Sequence, residues 1–165
     1  MKVESMRVYR IVPFDANVKI GQSVVPSKWD IKGEFKQRVE NELEENRPKD
    51  KFPSRTECLF VCFSKENADE WAYIKYMRKT TKYKLLTLEV SGNLYWLKAY
   101  AFNFLNEEST PDTIQKACID YWNSEVQNEK NLLLDKAYEG LFVGENRVIE
   151  IEDKEHDGYT GKSKD

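Results

Sequence analysis

The chain opens with apolar and polar residues that alternate with a period of two. Residues 6 to 13 read Met-Arg-Val-Tyr-Arg-Ile-Val-Pro. Alternation of this kind in a segment rich in β-branched and aromatic residues predicts a strand, and the proline predicts its end. A second, short strand is predicted at residues 18 to 20.

A period of four then replaces the period of two. The apolar positions that mark it are Ile31, Phe35, Val39 and Leu43. This spacing predicts an amphipathic helix with Asp30 as its N-cap, which stops before Pro48. Acidic residues, Glu40 among them, occupy the other faces of this helix, and we interpret those faces as a solvated surface.

The next apolar run is continuous, from Cys58 to Phe63. Such a run is typical of a strand that is covered on both faces. Ser64 follows it in a position to cap a helix. The buried stripe of that helix is predicted to consist of Ala68, Trp71, Ala72 and Tyr76.

Two glycine-containing turns are predicted to divide four strands in the second half of the chain. The turns are Ser91-Gly92-Asn93 and Gly144-Glu145-Asn146, because glycine and asparagine accept the backbone angles that tight turns require. The four strands are residues 83–90, 94–97, 139–143 and 147–151.

A helix start is predicted between these strand pairs at Thr110-Pro111-Asp112, which combines a cap, a proline at the first helical position and an acid in the first turn. Residues 100–105 suit a strand or a loop, and residues 132–134 suit a short packed turn. From Glu152 onward the chain is charged, and a disordered tail is predicted at residues 152–165.

Several short strands with two to three packing helices predict one α+β domain over residues 1–151. A length of 165 residues suits a single core of ordinary size. The net charge of −3 argues against a general nucleic-acid binder, which normally carries a basic face. We expect no membrane span and no secretion signal, and therefore a cytoplasmic protein.

Cysteine and histidine usage limits the chemistry. Cys58, Cys62 and Cys118 form no C-x-x-C pair, and the only histidine is His156. We interpret the thiols as small buried hydrophobes and expect no metal site. Acid–base chemistry would then rest on carboxylates, lysine or tyrosine.

Two arginines and a serine are candidates for ligand binding. Arg10 lies within the first predicted strand, where its guanidinium either holds a pyrophosphate or ribose or simply points to water. Ser54 and Arg55 lie at the mouth of a buried strand, where a hydroxyl and a guanidinium can help to bind a nucleotide. The alternative for this pair is an ordinary turn.

Glu139 and Trp71 are the remaining candidates. A carboxylate at the start of a strand, as at Glu139, can accept a ribose hydroxyl and stabilise an oxocarbenium-like centre, or it can be an exposed strand-end acid. Trp71 can stack on a base or belong to the core. The basic residues between Lys75 and Lys84 suit an RNA-contacting module or a solvated helix end.

The order of three segments resembles the ADP-ribosyltransferase superfamily. Tyr9-Arg10-Ile11 looks like its first-strand basic motif, and Leu59 to Ser64 with Trp71 is similar to its second strand and stacking residue. Glu139-Gly140-Leu141 looks like the strand that begins with the catalytic glutamate. The resemblance implies an ADP-ribosyltransferase-like split β-sheet.

The resemblance also implies a function. NAD would be the substrate and no metal would be needed. ADP-ribose would pass to a protein or nucleic-acid acceptor with release of nicotinamide. Glu139 would be catalytic, while Arg10, Ser54, Arg55 and Trp71 would bind NAD. The alternative is a non-enzymatic domain that binds a nucleotide or a protein on the same fold.

Overall fold

The computed structural model describes residues 1–26, 33–76, 82–132, 137–156 and 163–164. These residues form an α+β fold, as the sequence predicts. In chain order the elements are β1 (Lys2–Pro13), α1 (Glu34–Glu45), β2 (Leu59–Val61), α2 (Lys65–Tyr76), β3 (Lys82–Lys98), α3 (Tyr100–Asn103), α4 (Pro111–Trp122), β4 (Tyr138–His156) and β5 (Ser163–Lys164). A single 3₁₀ turn, Glu129–Asn131, precedes β4 in the described part of the chain.

The strands form one antiparallel sheet in the order β1-β3-β4-β2, and β5 pairs with the end of β4. The two outer strands of this order also meet. Tyr9 of β1 and Cys62, which follows β2, exchange two backbone hydrogen bonds of 2.9 and 2.6 Å. The sheet therefore closes on itself at this point and acquires an inner and an outer face.

β3 and β4 form a single long ribbon, and the two predicted turns within it are wrong. Gly92 lies directly opposite Gly144 in the ladder, with φ angles of 153° and 150°. A Cβ on Gly92 would lie 2.4 Å from the Val143 carbonyl oxygen, and one on Gly144 would lie 2.4 Å from that of Ser91. The two glycines thus let the backbones of β3 and β4 approach closely inside a continuous ladder. In the sequence, a glycine with this role looks the same as a glycine in a turn.

Each face of the sheet has its own core. The inner face buries side chains from β1 to β4, which are Val8, Leu59, Val61, Leu86, Leu88, Val90, Leu94, Trp96, Phe142 and Val148. On the outer face, α2 packs Ala68 and Ala72 against Tyr83 and Leu85. At the other end of the ribbon, α1 and α4 cover Leu97 and Leu141.

The helices follow their predicted patterns. Val39 and Leu43 of α1 are buried, as the four-residue period indicates, while Asp30 and Ile31 lie outside the described residues. Ser64 accepts a hydrogen bond from the Asn67 backbone at 3.0 Å, and Thr110 caps α4 through the Thr113 backbone at 3.2 Å. The predicted caps Ser64 and Thr110 are confirmed, whereas the prediction of Asp30 as the cap of α1 is wrong, because this helix begins at Glu34 with Gly33 as its N-cap.

Three local predictions are wrong. Residues 18–20 form no strand. Residues 100–103 form the short helix α3, not a strand or loop. Residues 152–156 belong to β4, because residues 152–155 pair with β3 as far as Lys82 and His156 pairs with Ser163 of β5. The rest of the predicted tail lies outside the described residues, apart from Ser163 and Lys164 in β5.

Candidate functional site

Arg55 is the centre of a buried polar cluster next to β2. Its Nε and Nη2 donate to the two carboxylate oxygens of Glu40, over 3.0 and 2.9 Å. Its Nη1 donates to the hydroxyl of Tyr121 at 2.8 Å and to Oε2 of Glu139. We call these four residues the Arg55 network. It connects α1, α4 and β4 to the loop before β2.

The network is closed by a further hydrogen bond and by aromatic rings. The Tyr121 hydroxyl, while it accepts from Arg55, donates to Glu139 Oε2 at 2.8 Å. The guanidinium carbon lies 5.0 Å from the ring centre of Phe60 and 5.5 Å from that of Phe102. These faces favour a cation and exclude water from it.

Burial and charge set the protonation states of the network. Arg55 is only 6% exposed. Although burial opposes its charge, the neighbouring Glu139, Tyr121 and Glu40 hold the pKa of Arg55 well above its ordinary value. Burial raises the pKa of the Tyr121 phenol well above its ordinary value. At neutral pH the network therefore holds a charged arginine and a neutral tyrosine.

Two other candidates from the sequence lie near this network, with their polar groups in use. The Ser54 hydroxyl donates to Glu44 at 3.1 Å and shares a hydrogen bond with Thr56. The indole N–H of Trp71 donates to the backbone oxygen of Tyr138 at 2.9 Å. Trp71 thus contacts the strand of Glu139 next to that residue.

Arg10 and Glu139 lie on opposite faces of the sheet. Arg10 is opposite Leu86 in the ladder, and Leu86 belongs to the inner core. Glu139 is opposite Leu97, which belongs to the outer core under α1 and α4. The Arg10 guanidinium donates to the backbone oxygen of Phe60 at 2.8 Å. Arg55 thus forms an ion pair with Glu139 on the outer face of the sheet, whereas Arg10 lies on the inner face.

Sequence reasoning missed Glu40 and Tyr121 as members of the site. The sequence pattern puts Glu40 on a face of α1 that we interpret as a solvated surface, and the helical spacing of the aromatic residues in α4 predicts Tyr121 as a core residue. Glu40 directly follows the buried Val39 and precedes Leu43 by three positions, so it borders the apolar stripe of α1. That position was the available signal for a carboxylate facing inward.

A groove lies along the edge of β4, away from the network. On one side it is bounded by Glu57 and Leu59, and on the other by the segment 21–26. The groove is also lined by Phe142 to Arg147 of β4 and by Glu89 and Ser91 of β3. The groove has a volume of about 820 Å³. We call it the β4 groove.

The thiols do not take part in either site. All three cysteines are buried and free, and burial raises the pKa of each thiol to about 12. Within the described ranges, no cluster of histidine, cysteine and acidic side chains could hold a metal ion. No helix in the described part is long and apolar enough to span a membrane.

The predicted basic patch is only partly described. Lys84 forms an ion pair with Asp153 at 3.1 Å, and the amines of Lys82 and Lys84 lie 5.6 and 5.2 Å from the Phe14 ring centre. Arg78 and Lys79 lie outside the described residues, as does the side chain of Lys75. The RNA-contacting alternative stays a prediction.

Comparison with known proteins gives a family. No curated protein matches the chain. A family model with the description "Protein of unknown function (DUF2441)" matches residues 22–154. That range includes β2, β3, β4 as far as Lys154, the whole Arg55 network and all of the described lining of the β4 groove except Gly21. Because the match spans most of the 165 residues, the chain belongs to the DUF2441 family.

Proposed function

We propose that this protein is a non-enzymatic domain that binds a protein partner. The observation that carries the proposal is the state of Arg55. Two carboxylates and a tyrosine hydroxyl already bind its guanidinium. A pyrophosphate would have to displace Glu40 or Glu139 and leave that acid buried without its cation, which is costly.

The condition of Glu139 supports the same conclusion. A carboxylate that stabilises the positive ribose must be free to face it. The side chain of Glu139 is only 12% exposed, and its Oε2 accepts from both Arg55 and Tyr121. Binding of the Arg55 cation makes this oxygen a weaker partner for an oxocarbenium centre. A structural role explains these contacts without a ligand.

Charge favours a protein over a nucleotide as the binding partner. The chain has a net charge of −3. Among the described residues, the charged side chains that line the β4 groove are Glu57, Glu89, Glu145 and Arg147, and Arg147 is paired with Glu89 at 2.9 Å. An anionic phosphate would meet repulsion there.

Titration with NAD, nicotinamide and ADP-ribose tests this proposal. We expect no rise in the melting temperature at millimolar ligand, because a molecule that does not bind the native state cannot stabilise it by mass action. We also expect no release of nicotinamide from NAD. A saturable shift with NAD, or nicotinamide release that Glu139→Gln removes, would overturn the proposal in favour of the transferase hypothesis.

A further inference from the structure

We propose that the β4 groove receives a lysine or arginine side chain from an extended, basic segment of a partner protein. This inference rests on the proposed function, since it names the surface and the partner chemistry of the same binding domain. Three features of the groove carry it: exposed apolar walls, exposed carboxylates, and a part of a sheet edge with which no described residue pairs.

The walls suit the aliphatic part of a long cationic side chain. Val25 is 75% exposed and Val143 is 41% exposed, and both line the groove. Below them lie the buried side chains of Leu59 and Phe142. Lysine and arginine cover apolar surface of this kind with their methylene stems while the charged ends remain among polar groups.

The carboxylates in the groove differ in whether they have a partner. Glu89 forms an ion pair with Arg147. Glu57 and Glu145 are exposed, and neither forms an ion pair within the described part of the chain. As exposed carboxylates they can bind a cation supplied from outside, and the acidic balance of the described charges in the groove would attract it.

The edge of β4 offers hydrogen bonds to a peptide backbone. β2 pairs with Gly140 to Phe142. Further along the same edge, Val148 exchanges backbone hydrogen bonds of 2.7 and 2.8 Å with Gly21 and Gln22. Among the described residues, the stretch from Val143 to Glu145 between these two segments is uncovered.

Gly144 presents its backbone to this gap. Backbone groups of an antiparallel strand alternate between its two edges. Val148 and Asn146 face the segment 21–24, since the Asn146 oxygen accepts from Ser23 at 2.9 Å. Gly144 therefore faces the same way. The gap is too short for a full added strand, so the partner segment crosses the edge and places one side chain in the groove.

Binding of labelled peptides to the full chain tests the inference. The probe is a peptide of alternating lysine and threonine, and its control carries glutamate in place of lysine. We expect saturable binding of the lysine peptide by fluorescence anisotropy, weakened by salt because the groove charges are exposed. The glutamate peptide should not bind.

Matched variants locate the binding. The double variant Glu57→Gln/Glu145→Gln should bind the lysine peptide about tenfold more weakly, as two exposed charge pairs would be lost. The double variant Glu108→Gln/Glu129→Gln removes the same charge from exposed positions outside the groove, and it should bind like the wild type. Equal weakening by both pairs would overturn the inference.

Two further outcomes would also overturn it. One is displacement of the peptide by spermidine at equal concentration, since a free polyamine cannot use the Gly144 backbone in the way a peptide does. The other is failure of the lysine peptide to bind the wild type. The assays with NAD decide the proposed function separately, so the two failures can be told apart.

Discussion

Two arginine–glutamate pairs in this protein have the same chemistry in opposite surroundings. Arg55 pairs with Glu40 and Glu139 beneath the helices, with side chains 8%, 21% and 12% exposed. Arg147 pairs with Glu89 at the β4 groove, with side chains 60% and 31% exposed. Water screens the second pair but hardly reaches the first, so the first is a structural element and the second is a replaceable contact.

The connections of the two pairs differ as well. The Arg55 network joins α1, α4, β4 and the loop before β2, which are far apart in sequence. Arg147 and Glu89 are direct neighbours across one ladder that other pairs already hold in register. Loss of Arg55 therefore disturbs several elements at once, whereas loss of Arg147 disturbs none.

The largest predicted effect is that of Arg55→Met. This substitution leaves Glu40 and Glu139 without their buried cation, and we expect the free energy of unfolding to fall by about 4 kcal/mol. Arg147→Met is the matched control and should lower it by less than about 1 kcal/mol. Urea unfolding of both variants measures the difference. Similar losses would contradict the contrast between the two pairs.

The next largest effect concerns the backbone of Gly144 in the β4 groove. We expect Gly144→Ala to lower the free energy of unfolding by about 3 kcal/mol, because a methyl group there meets the Ser91 carbonyl oxygen at 2.4 Å in addition to the strain of a positive φ. Gly21→Ala introduces the same kind of strain at φ 87°, but no atom of the described residues lies within 4 Å of the added methyl group.

Gly21→Ala should therefore cost only about 1 kcal/mol. Thermal unfolding measures both variants, with roughly 2–4 °C for each kcal/mol in a chain of this size. Equal melting temperatures would mean that the ribbon shifts freely at Gly144. The β4 groove would then tolerate a shift of its backbone as well as a change of charge.

The sequence predicts local structure well where the signal is a repeating period. The alternation in β1, the four-residue stripe of α1 and the start of α4 at Thr110 depend on near neighbours and are confirmed. Gly92 and Gly144 mislead because a glycine required by a contact across the ladder has the same local appearance as one required by a turn.

The site was less predictable, for a related reason. Arg55 and Glu139 are both in the sequence-based set, but their mutual ion pair joins residues 84 positions apart. No local pattern indicates that Arg55 turns toward protein carboxylates instead of a ligand. For Arg10, strand parity correctly grouped it with Val8, yet it could not show that Glu139 lies on the other face.

The third effect compares the loss of one carboxylate from the Arg55 network with the loss of one from the β4 groove. We expect Glu139→Gln to lower the free energy of unfolding by about 2 kcal/mol, since the amide keeps the shape but removes a charge that balances Arg55. Glu145→Gln, at the groove, should change it by less than about 0.5 kcal/mol. Chemical denaturation at pH 7 compares the two. A neutral Glu139→Gln would show that Glu40 alone balances Arg55.

The smallest effect concerns the exposed Glu44, which accepts hydrogen bonds from both Ser54 and Arg47. The Arg47 hydrogen bond, opposed by burial and assisted by Ser54, lowers the pKa of Glu44 below its ordinary value. Its carboxylate therefore stabilises the fold above the unfolded pKa, and this contribution is lost as the pH falls through the folded pKa.

We expect Glu44→Gln to cost about 0.5 kcal/mol at pH 7, because Glu44 is exposed and its pair with Arg47 is an i, i+3 contact. Glu45→Gln, which removes the same charge one residue further along α1, should cost less. Urea unfolding from pH 7 to pH 3 should show the wild type and Glu44→Gln converging as the pH falls. A gap that stays constant with pH would mean that Glu44 acts through packing and not through its charge.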